Sequence, residues 1–268
     1  MLLRVENLTT VRSTNELVKQ AIEAGQPEGL VVRARRQSGG YGRQGRAWAS
    51  PEGGLYCSWL LRPNVPLAQL PTLSLVVGLA VRDAAAALVS DSVAPAIRVK
   101  WPNDVVVAPD SAACEALPAR APFCKLCGIS LEAHQGGVCV GIGVNVRRPR
   151  AAADVGGKNV PAYLEDLAPA WGRGPLEDAL DATFSQIASV FSACYDRWLL
   201  EGFAPFSGRC NETSALAGCA VRIEDHGGGV LACGTACGID EHGRLVVRRS
   251  DGTTVPVASG EAHVLLGA

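Results

Sequence analysis

The chain has 268 residues, of which 48% are hydrophobic, enough for one large domain or for a large domain followed by a small one. Its net charge of −1 excludes a protein that binds nucleic acid through overall positive charge. The first residues lack the apolar segment of a secretory signal, so we expect a reducing, cytoplasmic location for the ten cysteines rather than a disulfide framework.

The first part of the chain predicts helices alternating with strands. Ser13 followed by Glu16 is a capping-box pattern, so we expect a helix that ends before Gly25. A second helix is expected over about 70–88. Because prolines and polar residues interrupt this apolar stretch, we interpret it as a buried helix and not as a membrane span. Apolar and alternating runs predict strands at 29–34, 54–61, 96–101 and 105–107.

The second part predicts two further strands, a long helix and a small β domain. Strands are expected at 124–132 and 138–146. Pro175 could occupy the first position of a helix whose apolar stripe runs from Phe184 to Trp198. Farther along, short strand-like runs are separated by glycine-rich turns. We therefore expect two domains, at 1–210 and 211–268.

A glycine- and arginine-rich stretch, GGYGRQGRAW at 39–48, is the first candidate for a binding site. Glycine lets the backbone approach a ligand closely, and arginine suits carboxylates and phosphates. Residues 40–45 match the GxGxxG pattern, but the RAWASPEGG that follows does not predict a helix, so a dinucleotide-binding fold is disfavoured. The stretch therefore predicts an anion site of another kind.

Four motifs together resemble the biotin protein ligases across residues 10–150. They are RQSGGYGRQGRAW at 36–48, KWPND at 100–104, KLCGISLE at 125–132 and GIGVN at 141–145. The pairing of KWPND with GxGRxGRxW is specific for a motif match. The resemblance implies an α/β (α+β) fold similar to class II aminoacyl-tRNA synthetases, with a mixed, largely antiparallel sheet and helices. It also implies a small C-terminal SH3-like β-barrel.

The resemblance also implies an enzymatic activity. Members of this family join biotin to ATP, forming biotinyl-5′-AMP and pyrophosphate, and then transfer biotin to a lysine of a carrier domain. The implied ligands are biotin, ATP and Mg²⁺, and the implied partner is the biotin carboxyl carrier domain of a biotin-dependent carboxylase. Because the motifs begin at residue 13, we expect a monofunctional enzyme that lacks the DNA-binding domain and binds neither DNA nor a membrane. A homodimer is left open.

The resemblance assigns roles to individual residues. Lys125 and Arg43 are the implied catalytic residues, with Lys125 bridging the biotin carboxylate and the α-phosphate. The residues implied to bind biotin are Ser13, Thr14, Asn15, Gln37, Gly40, Tyr41, Gly42, Arg43, Lys125 and Gly128. Those implied to bind ATP are Arg46, Trp48, Lys100, Asn103, Asp104, Gly143 and Asn145. Asp104 is also the expected Mg²⁺ partner, because its carboxylate supplies hard oxygen ligands.

The chemistry explains why cations and glycines are needed. A carboxylate that attacks a triphosphate is repelled by it, so positive groups and Mg²⁺ must offset the repulsion. The reactive intermediate must also be shielded from water, and we expect residues 39–46 to order over it as a mobile cover. Some of the assigned residues also have structural interpretations. Ser13 could be only a helix cap, Trp48 a packing residue and Asp104 a turn residue.

The chain departs from the family pattern at two places, and two alternative functions stay open. Tyr41 stands where the family usually has arginine, and twenty residues separate Asp104 from Lys125, which we interpret as a surface insertion between paired strands. RRQSGG at 35–40 also resembles lipoate ligases and octanoyltransferases, but GRQGRAW follows where those have a His-Asp pair. The other rival is a non-catalytic relative that binds biotin or a carrier domain.

Overall fold

The larger of two β-sheets carries the glycine-rich stretch and most of the candidate residues. In this computed structural model, which describes residues 1–108, 122–150 and 160–265, the sheet has the strand order β1-β2-β3-β7-β6-β5-β4, with β8 beside β6. Its strands are β1 (Arg4–Val11), β2 (Leu30–Gln37), β3 (Gly54–Leu61), β4 (Ile97–Lys100), β5 (Asp104–Val107), β6 (Cys124–His134), β7 (Gly137–Asn145) and β8 (Val160–Pro161).

Strand pairing confirms a mixed, largely antiparallel sheet. β1 runs parallel to β2 and β8 parallel to β6, whereas the other neighbours are antiparallel. Gln135 and Gly136 join β6 to β7 with φ values of 41° and 77°. A tight hairpin turn requires positive φ at both central residues, so the chain turns back at the place that the sequence indicated.

Helices cover both faces of this sheet. They are α1 (Thr14–Glu23), α2 (Leu70–Ala86), α3 (Leu164–Leu167), α4 (Leu176–Glu201) and α5 (Ala204–Glu212). The predicted stripe of α4 is buried, and its Phe191 ring meets Trp59 of β3 at 5.1 Å between centroids. The stretch Leu67–Ala86 is long and apolar enough to cross a membrane, but 61% of its most apolar 18-residue window is buried inside the protein. It therefore serves here as the core helix that the sequence predicted.

The second sheet lies at the C-terminal end of the chain and has the order β12-β11-β10-β9-β13. Its strands are β9 (Ala220–Glu224), β10 (Val230–Ile239), β11 (Leu245–Arg248), β12 (Thr254–Val257) and β13 (Glu261–Val264). It docks against the larger unit, where Trp101 Nε1 donates to the carbonyl of Gly243, between β10 and β11, at 3.1 Å. The domain boundary at residues 210 and 211 stays a prediction.

Several elements differ from the sequence predictions. β1 and α5 were not predicted, and α4 begins at Leu176 with Pro175 just before it. The capping-box prediction was wrong. Ser13 is the N-cap residue of α1, but its side chain makes no capping hydrogen bond. The N–H of Thr14, the first helical residue, donates to Gln37 Oε1 at 2.9 Å. β5 and β6 are paired as expected, and residues 109–121 of the expected insertion lie outside the described residues.

Candidate active site

A cleft of about 1000 Å³ opens over the larger sheet, between the glycine-rich stretch and strand β13. Gly128 of β6 and Gly141 and Gly143 of β7 form part of its floor. The side chain of another residue packs directly against each of these glycines. A methyl group on Gly143 would lie 2.8 Å from Trp48 Nε1, and one on Gly128 would lie 2.9 Å from the same indole. One on Gly141 would collide with Asn15 and Ser130. The floor therefore excludes larger residues at these positions.

One end of the cleft is lined by neutral hydrogen-bonding groups. Gln37 accepts from Thr14 N and Oγ1 at 2.9 and 3.1 Å, and its Nε2 donates to Ser50 Oγ at 2.8 Å. Ser58 Oγ lies 2.7 Å from Thr14 Oγ1 and 2.6 Å from Asn15 Oδ1. These contacts fix the orientation of the Gln37 and Asn15 side-chain amides. A neutral ligand with several polar groups would be recognised here at low reorganisation cost.

The other end of the cleft is cationic. Lys125 Nζ lies 2.7 Å from Asp104 Oδ1, and both side chains are only 15% exposed. Lys100 lies half-buried beside this pair, and desolvation lowers its pKa although Asp104 opposes the shift. Among the described residues that line the cleft, four cations face two carboxylates: Arg43, Arg46, Lys100 and Lys125 face Asp104 and Glu261. Buried positive charge without a full complement of counter-ions favours an anionic ligand.

The glycine-rich stretch forms a short folded-back loop above the cleft. Gly42 N donates to the Arg46 carbonyl at 2.8 Å, and Trp48 N donates to the Gly40 carbonyl at 2.9 Å. Gln44 has a φ of 59°, in the left-handed region that non-glycine residues rarely adopt. The mobility of residues 39–46 stays a prediction.

Arg43 joins this loop to the KWPND turn. Its Nη1 donates to Asn103 Oδ1 at 3.0 Å, and Asn103 Nδ2 donates to the Ile129 carbonyl of β6 at 2.8 Å. Burial lowers the pKa of Arg43, with neighbouring Arg46 adding to the shift. An anion near Arg43 would relieve both effects, since it would restore a partner to the desolvated charge.

Trp48 lies on the glycine floor, with Lys125 Nζ 5.2 Å from the centre of its ring. Its Nε1 is buried and has no hydrogen-bond partner in the part of the chain that the structure describes. A buried indole N–H usually finds an acceptor, so this donor is a candidate for ligand contact as well as for packing.

The structure brings together nearly all of the residues named from the sequence. Every one of them lines the cleft except Ser13, whose side chain is buried under the first turn of α1. Their roles stay predictions. The cleft is also lined by residues that sequence reasoning missed, namely Ser50, Tyr56, Ser130, Glu261 and His263. Ser130 could have been found from its position two residues after Gly128, but no local signal marks Glu261, because only docking of the second sheet brings it here.

The cleft and its motifs agree with a known family. The sequence model of the biotin/lipoate A/B protein ligase family matches residues 8–147, about half of the chain. The chain belongs to the biotin/lipoate A/B protein ligase family. Residues 218–264 match the biotin protein ligase C-terminal domain, in agreement with the small second sheet.

Relatives of this family are similar over most of their length. The biotin–[acetyl-CoA-carboxylase] ligase of Mycobacterium tuberculosis is 32% identical over 93% of this chain and 84% of the relative. The corresponding ligase of Paracoccus denitrificans is 30% identical over 84% of this chain and 86% of its own. A bifunctional ligase/repressor of Bacillus subtilis is 28% identical over 90% of this chain and 68% of its own length.

Solved structures of this family share the fold. The biotin protein ligase of Aquifex aeolicus in complex with biotin and ATP has a TM-score of 0.73 and 26% identity, covering 98% of this chain and 99% of its own. The likeness extends over both sheets, so the fold class implied by the sequence is confirmed, including the SH3-like second unit.

Proposed function

We propose that this protein is an ATP-dependent biotin ligase that forms biotinyl-5′-AMP and transfers biotin to a lysine of a biotin carboxyl carrier domain. One observation supports this most directly: a single cleft joins a neutral hydrogen-bonding end to a cationic end. Biotin has the same polarity, because its ureido ring is neutral and its carboxylate is charged. Relatives named biotin–[acetyl-CoA-carboxylase] ligase support the same reaction.

In the first step, a biotin carboxylate oxygen attacks the α-phosphorus of ATP and the bond to pyrophosphate breaks. We assign to Lys125 and Arg43 the stabilisation of negative charge at the reacting oxygens, and to Lys100 and Arg46 the neutralisation of the triphosphate. Two unit charges about 4 Å apart interact by about 4 kcal/mol at an effective dielectric constant of about 20. Positioned cations of this kind are therefore large enough to decide the rate.

In the second step, the neutral amine of the acceptor lysine attacks the acyl carbon, AMP leaves with the electron pair of the broken bond, and the amine nitrogen releases one proton as the amide forms. The acceptor is expected to be the carrier domain of a biotin-dependent carboxylase, as in the printed names of the relatives. Residues 39–46 would keep water away until the amine arrives. A homodimer and a cytoplasmic location stay predictions.

Mg²⁺ fits this site as a companion of ATP. No group of three or more His, Cys, Asp or Glu side chains that could hold a metal occurs within the described ranges. Mg²⁺ in nucleotide enzymes is usually held by one or two carboxylates together with phosphate oxygens and water, so a protein cage is not required. We propose Asp104 as the protein ligand, because its carboxylate lines the cationic end of the cleft. Bound there, the ion would neutralise phosphate charge.

The assay that tests this function is ATP–pyrophosphate exchange. We expect exchange that requires both biotin and Mg²⁺ and that lipoate or octanoate does not support. Exchange with lipoate in place of biotin would contradict the assignment and favour the lipoate branch of the family. Biotin binding without exchange would instead indicate a non-catalytic relative.

A further inference from the structure

Tyr41 reaches from the glycine-rich loop across the neutral end of the cleft to helix α1. Its ring lies over Lys19, with Nζ 5.3 Å from the ring centre, and Tyr41 itself lines the cleft. Lys19 follows Asn15 by one helical turn, so both side chains lie on the same face of α1. The loop and the helix therefore meet at a cation–aromatic contact beside the neutral end.

Glu132 of β6 connects Lys19 to the groups that line this end. Lys19 Nζ lies 3.1 Å from Glu132 Oε2, and Asn15 Nδ2 donates to Glu132 Oε1 at 3.2 Å and to Ser130 Oγ at 3.0 Å. One carboxylate thus holds both the lysine under the tyrosine ring and the amide in the cleft. A displacement of Lys19 would be transmitted to Asn15 through Glu132.

The charge states at this contact are well defined. Contact with Tyr41 and pairing with Glu132 raise the pKa of Lys19, so the ammonium group stays charged. Burial raises the pKa of Tyr41, so the phenol stays neutral. The Tyr41 hydroxyl is buried, and the Lys19 ammonium group is its hydrogen-bonding neighbour among the described residues. Because an ammonium group only donates, the O–H of this neutral phenol keeps its donor capacity at the edge of the ligand site.

We propose that Tyr41 and Lys19 form a closing unit at the biotin end of the cleft. Tyr41 covers the ureido end and excludes water from it, and Lys19 is a positioning residue that holds the ring and, through Glu132, the Asn15 amide. The inference rests on the proposed function, since it assigns the residues that retain the same substrate. Positive charge beneath the ring favours this placement of Tyr41, because the ring face is negative.

A double-mutant cycle tests the unit. The variants are Tyr41→Ala, Lys19→Met and the combination, and the measurements are the biotin Kd by calorimetry and the dissociation rate of biotinyl-5′-AMP. We expect each single change to raise both quantities about tenfold and the double change to raise them little more than the larger single effect, because both changes remove the same contact. Single variants without effect, or a double variant in which the effects multiply, would overturn the proposal.

A charge substitution provides a second test. Tyr41→Arg places a second cation beside Lys19, so we expect biotin binding to weaken by about tenfold or more. Adding Lys19→Met to Tyr41→Arg should restore most of the affinity, because the introduced guanidinium would then pair with Glu132. Lack of recovery in this double variant would contradict the role of Lys19.

Arg197→Met is the matched control. Arg197 lies over the Phe206 ring at 5.5 Å, a contact of the same type on the outside of α4. The Arg197→Met change should leave the biotin Kd unchanged. Thermal melting checks that every variant is folded. If the wild-type protein itself binds no biotin and exchanges no pyrophosphate, the proposed function fails. If it does both and the cycle is additive, only the closing unit fails.

Discussion

At the scale of the residue, the chemistry depends on charged groups that are partly removed from water. Lys125 lies on β6 with its ammonium group 2.7 Å from Asp104, and both side chains are largely removed from water. Lys100 and Arg43 lie nearby with pKa values lowered by burial. A bound anionic ligand would restore partners to these cations, so part of the ligand affinity is expected to come from relief of this desolvation.

Lys125→Ala should slow formation of the adenylate about 10²- to 10³-fold while the fold is retained. The physical reason is that one cation facing the reacting oxygens is lost, and the Asp104 carboxylate is left without it. Single-turnover formation of biotinyl-5′-AMP measures the effect. Lys125→Arg keeps the charge and should recover part of the rate. Turnover of Lys125→Ala at the wild-type rate would remove this residue from the mechanism.

At the scale of the element, strands β6 and β7 supply a floor on which ring systems can lie. Gly128 and Gly143 face each other across the two strands, and the Trp48 indole rests on both. Glycine in a strand interior weakens it but allows close approach of another group. This loss of strand stability is offset here, because β6 and β7 each form hydrogen bonds with two or more neighbouring strands.

Gly143→Ala should raise the KM for ATP about tenfold or more and change the biotin Kd less than about threefold. The new methyl group would lie 2.8 Å from Trp48 Nε1, so the indole must move, and such overpacking typically costs about 1–3 kcal/mol. Initial rates of pyrophosphate exchange measure the KM for ATP, and calorimetry measures the biotin Kd.

Gly208→Ala is the matched control for Gly143→Ala. Gly208 lies inside α5 with no atom near an added methyl group, so this change should leave both constants unaltered and slightly stabilise the fold. A wild-type KM for ATP in Gly143→Ala would contradict a role of this floor in nucleotide binding.

At the scale of the whole molecule, the second sheet completes the cleft. β13 brings Glu261 to the glycine-rich loop, where it pairs with Arg46 at 2.8 Å. Beside this pair, His226 Nδ1 lies 3.1 Å from Gln44 Oε1. The loop therefore contacts β13 and the β9–β10 turn, and its position depends on the docking of the two units.

Glu261→Gln should increase hydrogen exchange of residues 39–46 in the absence of ligand, because the loop loses its ionic contact to β13. The free energy of unfolding should change by less than about 1 kcal/mol, since both side chains of the pair are about half exposed. Hydrogen exchange by mass spectrometry measures the first quantity and chemical denaturation the second.

Glu201→Gln removes a similarly exposed ion pair, between Arg197 and Glu201 at 3.2 Å, on helix α4. This control should leave exchange in residues 39–46 as in the wild type. Equal exchange in Glu261→Gln and the wild type would show that the second sheet does not hold the loop.

The sequence by itself determined the strongly periodic elements and the motif set. The strands of the β6–β7 hairpin, helix α2 and the buried stripe of α4 follow from local patterns of apolar residues and glycine. Those patterns act over a few residues and can be recognised without long-range information. The glycines and cations of the cleft were named through the resemblance of four short motifs to those of the biotin protein ligases.

Tertiary structure decided the rest. β1 is exposed along its length and is a strand because it pairs with β2, not because its side chains alternate. At the α1 N-terminus, Thr14 N–H donates to Gln37, which lies 23 residues farther along the chain, and Ser13 makes no capping hydrogen bond. Glu261 reaches the cleft from the second sheet, and Lys19 of α1 contacts the ring of Tyr41 in the glycine-rich loop. Such contacts join residues distant in sequence, so only the packed chain determines them.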